Sequence, residues 1–369
     1  MRPVALENDE PRAGAPRALT LSICIPTHDG RARVLERALD SVVGQLDSGT
    51  RARVQICVSD NGSRDDTRAI LERLRAILGD ALVVHRFDVD VGFTTNLLKV
   101  VDLADGDFCW LLGSDDTLEP DALRTVLDLL DQEPDLTGIT VNRLNVDDAD
   151  PAVVLRDDPR VLPPPGRTCY TVADEMFADL ALLQDYISTQ ILNRRAWHQA
   201  VKALGPTGVA AGRAFPHIPI IGAMVRAAPR WRWHSGRLVR HRVGVTAVEG
   251  TFSRDLAAYT IKVTADRSAI WAAMFGVRSP LYRAAMSHAR VVQLSPAMIG
   301  HYKLQPGHTL AADLRLLFAM TRHYRRLPEF WVQSFPALLV PSVAVPLAVR
   351  TAQVVRDALR RRRPSASGS

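Results

Sequence analysis

Apolar positions over roughly the first 140 residues alternate between two periods. "LSICIP" (Leu21 to Pro26) is a continuous apolar run closed by proline, as a strand buried on both faces requires. Val34, Leu35, Ala38, Leu39, Val42 and Val43 then recur at three- and four-residue spacing, which predicts a helix. "VQICVSD" is a second strand. Behind it, Ser63 and Asp66 form a capping-box-like helix start, with Ile70, Leu71, Leu74, Ile77 and Leu78 as the stripe and Gly79 as the stop. "ALVVHRF", "NLLKVVDLA" and "FCWLLGS" continue the alternation. "EPDALRTVLDLL" reads as a fourth helix with Pro120 in its first turn, and "LTGITVNRLNV" as a fifth strand. Such alternation specifies an α/β fold: a mostly parallel sheet with helices on both faces.

From Ala257 to Met320 the apolar spacing is helical, which predicts a C-terminal helical region. Phe330 to Val349 carries no charge and is about as long as a membrane span. Pro336, Pro341 and Pro346 interrupt it and rule against a clean helix. With its leading aromatics and the following "RRRRP", segment 330–363 is expected to lie at a membrane surface or to pack as an irregular helix on the rest of the chain. The expected organisation is a disordered tail over 1–18, an α/β half over 19–140, a second half over 141–250 and the helical region over 251–369.

Composition adds limits. With 369 residues, 47% hydrophobic and 23% charged, the chain is globular and long enough for two domains. A net charge of +6 without basic–aromatic interleaving gives no nucleic-acid module. Cys24, Cys57, Cys109 and Cys169 are scattered without a CxxC pair, which predicts reduced core residues. The polar start lacks a secretory apolar segment, so a cytoplasmic location is expected.

Ligands of a parallel sheet bind at the carboxyl ends of its strands. Those ends carry His28 and Asp29, Asp60 and Asn61, Asp88 and Asp90, and Asp115 and Asp116. Aspartate also favours turns, which accounts for any one of them alone. Four acidic strand ends on one rim repel each other without a counter-charge, and an all-oxygen set suits Mg²⁺ or Mn²⁺ carrying a diphosphate.

"SICIPTHDG", "VSDNGSRDDT", "VGFTTNLLKVVDLADGDFCWLLGSDD" and "LEPDAL", in this order over residues 19 to 140, resemble the nucleotide-sugar-binding half of family 2 glycosyltransferases. The resemblance is to the bacterial abequosyltransferase-like branch, and it implies the Rossmann-like GT-A fold. It further implies that Asp60 hydrogen-bonds the nucleotide base and that Pro26 and His28 occupy the loop cupping it. Asp116 would bind Mn²⁺ or Mg²⁺, Asp115 would meet the ribose or the sugar, and Asn96 matches the asparagine of a helix start. This chain departs from the family at Asp29-Gly30, where asparagine and a basic residue are usual, and at Thr95, where arginine is. The departure at Thr95 implies that a phosphate contact is either missing or supplied by Lys99 or by an arginine elsewhere.

The implied reaction is inverting, metal-dependent transfer of a sugar from a nucleotide-sugar donor to a saccharide or lipid-linked acceptor in cell-surface polysaccharide or glycolipid assembly. It implies peripheral contact with the inner face of the membrane. An acceptor hydroxyl needs a base. The family's Glu-Asp pair is absent, leaving Asp185, His217 and, more weakly, Glu175 as candidates, with helix-surface or helix-start roles as their alternatives. Asn193 and Arg194 are expected to line a turn, with Arg194 and Arg195 as surface arginines and a phosphate contact as the alternative. Two rival functions stand: an inactive nucleotide-sugar-binding protein, and a nucleotidyltransferase, which would need a glycine-rich basic loop that "PTHDGRARV" lacks.

Overall fold

The computed structural model describes residues 20–147, 154–155, 162–243, 256–305 and 308–345. Four parallel strands form the first part of the sheet: β1 (Leu21–Thr27), β2 (Val54–Asp60), β3 (Leu82–Arg86) and β4 (Phe108–Leu111), in the order β3-β2-β1-β4. Helices α1 (Ala32–Val43), α2 (Thr67–Leu78) and α3 (Phe93–Asp102) connect them. Every residue of β1 is buried, the physical reason its sequence shows no polar alternation. Leu21, Ile23 and Ile25 pack with α1, α2 and, further on, α4 (Ala122–Gln132), whereas Cys24 on the opposite face packs with α3. Helices therefore cover both faces of the sheet.

The sheet then becomes mixed. β9 (Gln190–Asn193) pairs antiparallel with both β4 and β6 (Gly138–Asp147), and β6 runs parallel to β10 (Trp231–Val243). The short strands β5 (Thr117–Leu118), β7 (Val154–Leu155) and β8 (Cys169–Tyr170) attach at this side. A polar seam locks the junction: Gln184 Nε2 and Trp231 Nε1 donate to Thr140 Oγ1 at 2.8 and 2.9 Å, and Thr140 in turn donates to Gln190 Oε1 at 3.1 Å. Since β6 spans 138–147, the division expected at residue 140 runs through a strand of one continuous sheet. Helices α5 (Ala173–Leu180), α6 (Arg194–Ala210) and α7 (His217–Ala227) cover the face shared with α3.

A separate helical core holds α8 (Leu256–Phe275), α9 (Pro280–Gln293), α10 (Pro296–Lys303), α11 (Leu310–Tyr324) and α12 (Phe335–Leu339). Buried Lys303 ties its end together, donating to the Leu338 carbonyl at 2.8 Å and standing 3.2 Å from Asp313. The charge-free segment splits into a π-turn (Phe330–Ser334) and α12, with Phe330 and Leu338 docked on this core. Among the described residues no helix is long and apolar enough to cross a membrane. Residues 1–18 and 346–363 of the expected tails lie outside the described residues, as does the boundary at 250.

Three local expectations change. Ser63 does not cap α2, because its N–H and hydroxyl both turn back to Asp60. Pro120 precedes α4, whose flanking residue Asp121 takes a left-handed φ of 61°. Cys24, Cys57 and Cys109 are buried and free, but Cys169 is exposed on β8.

Candidate active site

Register brings the carboxyl ends together. Thr27 pairs with Asp60 and Asp60 with Arg86, while the Leu112 N–H donates to the Cys24 carbonyl at 2.9 Å, so the loop after β4 rises beside the end of β1.

At the β2 end, Asp60 is 1% exposed. Its Oδ1 accepts from the Ser63 N–H at 3.1 Å and from the Ser63 hydroxyl, and its Oδ2 lies 3.3 Å from Arg86 Nε. These partners satisfy a buried carboxylate that would otherwise be strongly disfavoured. A cleft of about 290 Å³ opens beside it, lined by Asp60, Arg68, Leu71, Val84 and Arg86 among others. Gly62 holds φ +74°, and a Cβ there would stand 2.8 Å from the Val89 carbonyl carbon, so only glycine lets these two loops meet.

The other predicted rim residues sort into two groups. His28 stands half-buried at the rim, with Nδ1 2.8 Å from the Asp29 carbonyl oxygen. Burial, and then the Arg31 charge, lower its pKa from the usual imidazole value, leaving a neutral ring able to stack. Asn96 donates to the Thr27 carbonyl at 2.9 Å and leaves its buried Oδ1 without a partner. Pro26, by contrast, lies buried inside β1, one residue short of the loop it was expected to shape. Asp29 accepts from the Arg64 and Asp65 N–H groups at 2.8 and 3.1 Å, and Asn61 and Asp90 bond each other. These three residues organise loops.

Asp115 and Asp116 receive separate counter-charges. Asp115 Oδ1 lies 2.9 Å from Arg31 Nη1, and burial followed by repulsion from Asp116 still raises its pKa. Asp116 is buried, which opposes its ionisation, but His241, Ser188 and Tyr186 outweigh that and hold it below the ordinary carboxylate value. The Tyr186 and Ser188 hydroxyls donate to Oδ2, and His241 Nδ1 lies 3.2 Å from Oδ1 and against the Tyr186 hydroxyl. Burial and then Asp116 raise the Tyr186 pKa well above that of a free phenol, keeping it a hydrogen-bond donor. Arg143 stacks 4.8 Å above the Tyr186 ring. Gly113 admits this packing: a Cβ there would lie 3.0 Å from Asp116 Oδ2.

Asp116 and His241 make a fitting cation site. Two donor atoms about 3 Å apart can be neighbouring ligands of one octahedral ion. Among the described residues no three His, Cys, Asp or Glu side chains gather. Among the described residues Asp116 and His241 would supply two ligands, the situation in which Mg²⁺ or Mn²⁺ completes its shell with phosphate oxygens and water.

On the acceptor side, Asp185 is one residue from Tyr186 and forms a buried ion pair with Arg267 of α8, whose guanidinium lies 5.5 Å from the Phe215 ring centre. His217 is 1% exposed and donates from Nε2 to the Gln184 carbonyl at 2.9 Å, leaving Nδ1 buried and unpartnered. Burial lowers its pKa to about 4. Glu175 is exposed on α5, 4.0 Å from Arg167, and joins none of these contacts. Arg194 donates to the Gly106 carbonyl at 2.7 Å, at the start of β4, so it sits at the opposite end of the sheet from the rim, while Asn193 caps α6.

Sequence reasoning did not find Arg31, Arg86, Tyr186, Ser188 or His241. Arg86 closes "LVVHR" and could have been found as a strand end. His241 had no local signal, since only the pairing of β10 with β5 at Arg240 and Thr117 carries it to Asp116.

The carboxyl ends of this α/β sheet thus carry an acidic, partly counter-charged rim, the place where such sheets bind ligands. Residues 22–199, just under half of the chain, match the model of glycosyl transferase family 2. Abequosyltransferase RfbV of Salmonella typhimurium is 36% identical over 118 residues, 32% of this chain and 34% of that protein. A PGL/p-HBAD biosynthesis glycosyltransferase of Mycobacterium bovis is 39% identical over 106 residues, 28% of this chain and 39% of its own. The alignments thus span little more than a third of these relatives. The crystal structure of S. aureus TarS 1-349 in complex with UDP-GlcNAc superposes with a TM-score of 0.51 at 15% identity, covering 90% of this chain and 92% of that one. The GT-A fold expected from sequence is the fold observed.

Proposed function

We propose that the protein transfers a sugar from a nucleoside-diphosphate donor to a saccharide or lipid-linked acceptor, with inversion, at the inner face of a membrane. One observation carries the reading: Asp116 and His241 converge on one point at the end of β4, on the same rim as buried Asp60. Asp60 takes the base's N–H, with Arg86 balancing its charge, and His28 stacks on the ring. Asp115, held by Arg31, meets the ribose or the sugar.

Asp116 and His241 hold Mn²⁺ or Mg²⁺. The cation, when bound, supplies electrostatic stabilisation of the charge that grows on the departing diphosphate. As the acceptor oxygen bonds to the anomeric carbon, the bond from that carbon to the phosphate oxygen breaks, and the nucleoside diphosphate leaves. The reading gives Asp185 the acceptor's proton, because its carboxylate adjoins the Tyr186–Ser188 turn that grips Asp116. His217, neutral and enclosed, orients that turn through the Gln184 carbonyl.

The test is release of free sugar from a panel of nucleotide sugars with Mn²⁺. Turnover that Asp116→Ala and Asp185→Asn each abolish supports the reading. Nucleotide binding without turnover in the parent identifies an inactive binding protein instead.

A further inference from the structure

Helix α11 is apolar on two sides. Leu316, Met320 and Tyr324 face the helical core and are buried. Leu310, Leu314 and Phe318 follow one another at four-residue spacing on another face, with exposures of 65%, 47% and 71%. Val343, 89% exposed, follows Ser342, whose N–H donates to the inward-facing Asp313 of α11 at 3.0 Å. Isolated exposed apolar side chains are ordinary on a soluble surface, but three in a row along one helix face mark a contact surface.

The exposed charges of α11 have one sign. At 100° per residue, Arg315 and Arg322 project from the helix shoulder next to Phe318, and Arg325 and Arg326 follow at its end. Asp313, the acidic residue of this helix, is turned inward and neutralised by Lys303 and His308 at 3.2 and 3.0 Å. An apolar ridge bordered by guanidinium groups, on a helix without an exposed carboxylate, matches the boundary between lipid phosphates and acyl chains. Two copies meeting through this face would bring their arginine borders together, which disfavours a dimer.

We propose that the Leu310–Leu314–Phe318 face of α11 docks the protein on an anionic lipid surface, lying on it without crossing. This surface goes beyond the uncharged 330–349 segment and deepens the proposed membrane-side acceptor, yet it stands without the transferase reading.

The experiment is co-sedimentation of the full chain with phosphatidylcholine–phosphatidylglycerol vesicles and with pure phosphatidylcholine vesicles, alongside light scattering and nucleotide binding on the same samples. The parent should bind the anionic vesicles preferentially and release at high salt. Leu314→Ser/Phe318→Ser should lower the bound fraction at least about tenfold at unchanged melting temperature, and Arg315→Gln/Arg322→Gln should remove the preference for phosphatidylglycerol. Should the serine pair melt lower, Phe318→Ser alone is expected to show the loss. Serine variants that bind like the parent overturn the proposal. So does a parent that ignores both vesicle types, or a dimer that those variants dissociate. Nucleotide binding that persists in the serine variants shows that the two readings succeed or fail separately.

Discussion

His241 Nδ1 lies 3.2 Å from Asp116 Oδ1 although 125 residues separate them, and the Tyr186 hydroxyl touches both. Tyr186 is therefore the brace between the two proposed cation ligands. Tyr186→Phe removes a donor from a buried carboxylate and is expected to reduce stability by about 1–3 kcal/mol, read from denaturant unfolding. The Mn²⁺ concentration needed for half-maximal nucleotide binding should rise. An unchanged Mn²⁺ requirement would limit Tyr186 to a packing role.

Arg267 and Asp185 form a buried pair between α8 and the turn before β9. Arg267→Met leaves a buried carboxylate uncompensated and should destabilise by on the order of 3 kcal/mol. Asp185→Leu/Arg267→Met should recover most of that loss, because no charge is stranded. Transfer activity should stay absent in the double variant if Asp185 is the base. A stable and active double variant would remove Asp185 from the chemistry.

His217 supplies a pH dependence. Its pKa in the fold is about 4 against 6.5 for a free imidazole, so between those values the unfolded chain binds a proton that the folded chain refuses. Stability from this group is complete above pH 6.5, declines as pH falls through that window, and levels off below about 4. The full effect is on the order of 3 kcal/mol. His217→Gln should flatten the unfolding free energy across this window relative to the parent. Parallel pH curves would show that the ring is not held neutral.

What the sequence disclosed depended on range. β1 to β4 and their helices were legible because each buries a continuous apolar run or a single stripe, a property of neighbouring residues. Asp60, Asp115 and Asp116 were legible as polar residues that end such runs. The mixed part of the sheet was not, since β9 enters between β4 and β6 from far along the chain and pairs through four residues only. Ser63 carried a correct local signal with the wrong partner. It resembles a helix cap, but the buried Asp60 carboxylate competes for its donors and wins. Arg31 and His241 are ordinary in sequence and acquire meaning only from the acids they face.

The central claim is that Asp116 and His241 bind a cation that carries a nucleotide diphosphate. The direct measurement is the melting temperature with UDP, GDP, CDP or dTDP, each with and without Mn²⁺, in the parent, Asp116→Ala and His241→Ala. The account predicts a rise with one of these nucleotides that depends on Mn²⁺ in the parent and disappears in both variants. A rise of equal size without the metal, or one that persists in Asp116→Ala, would contradict it.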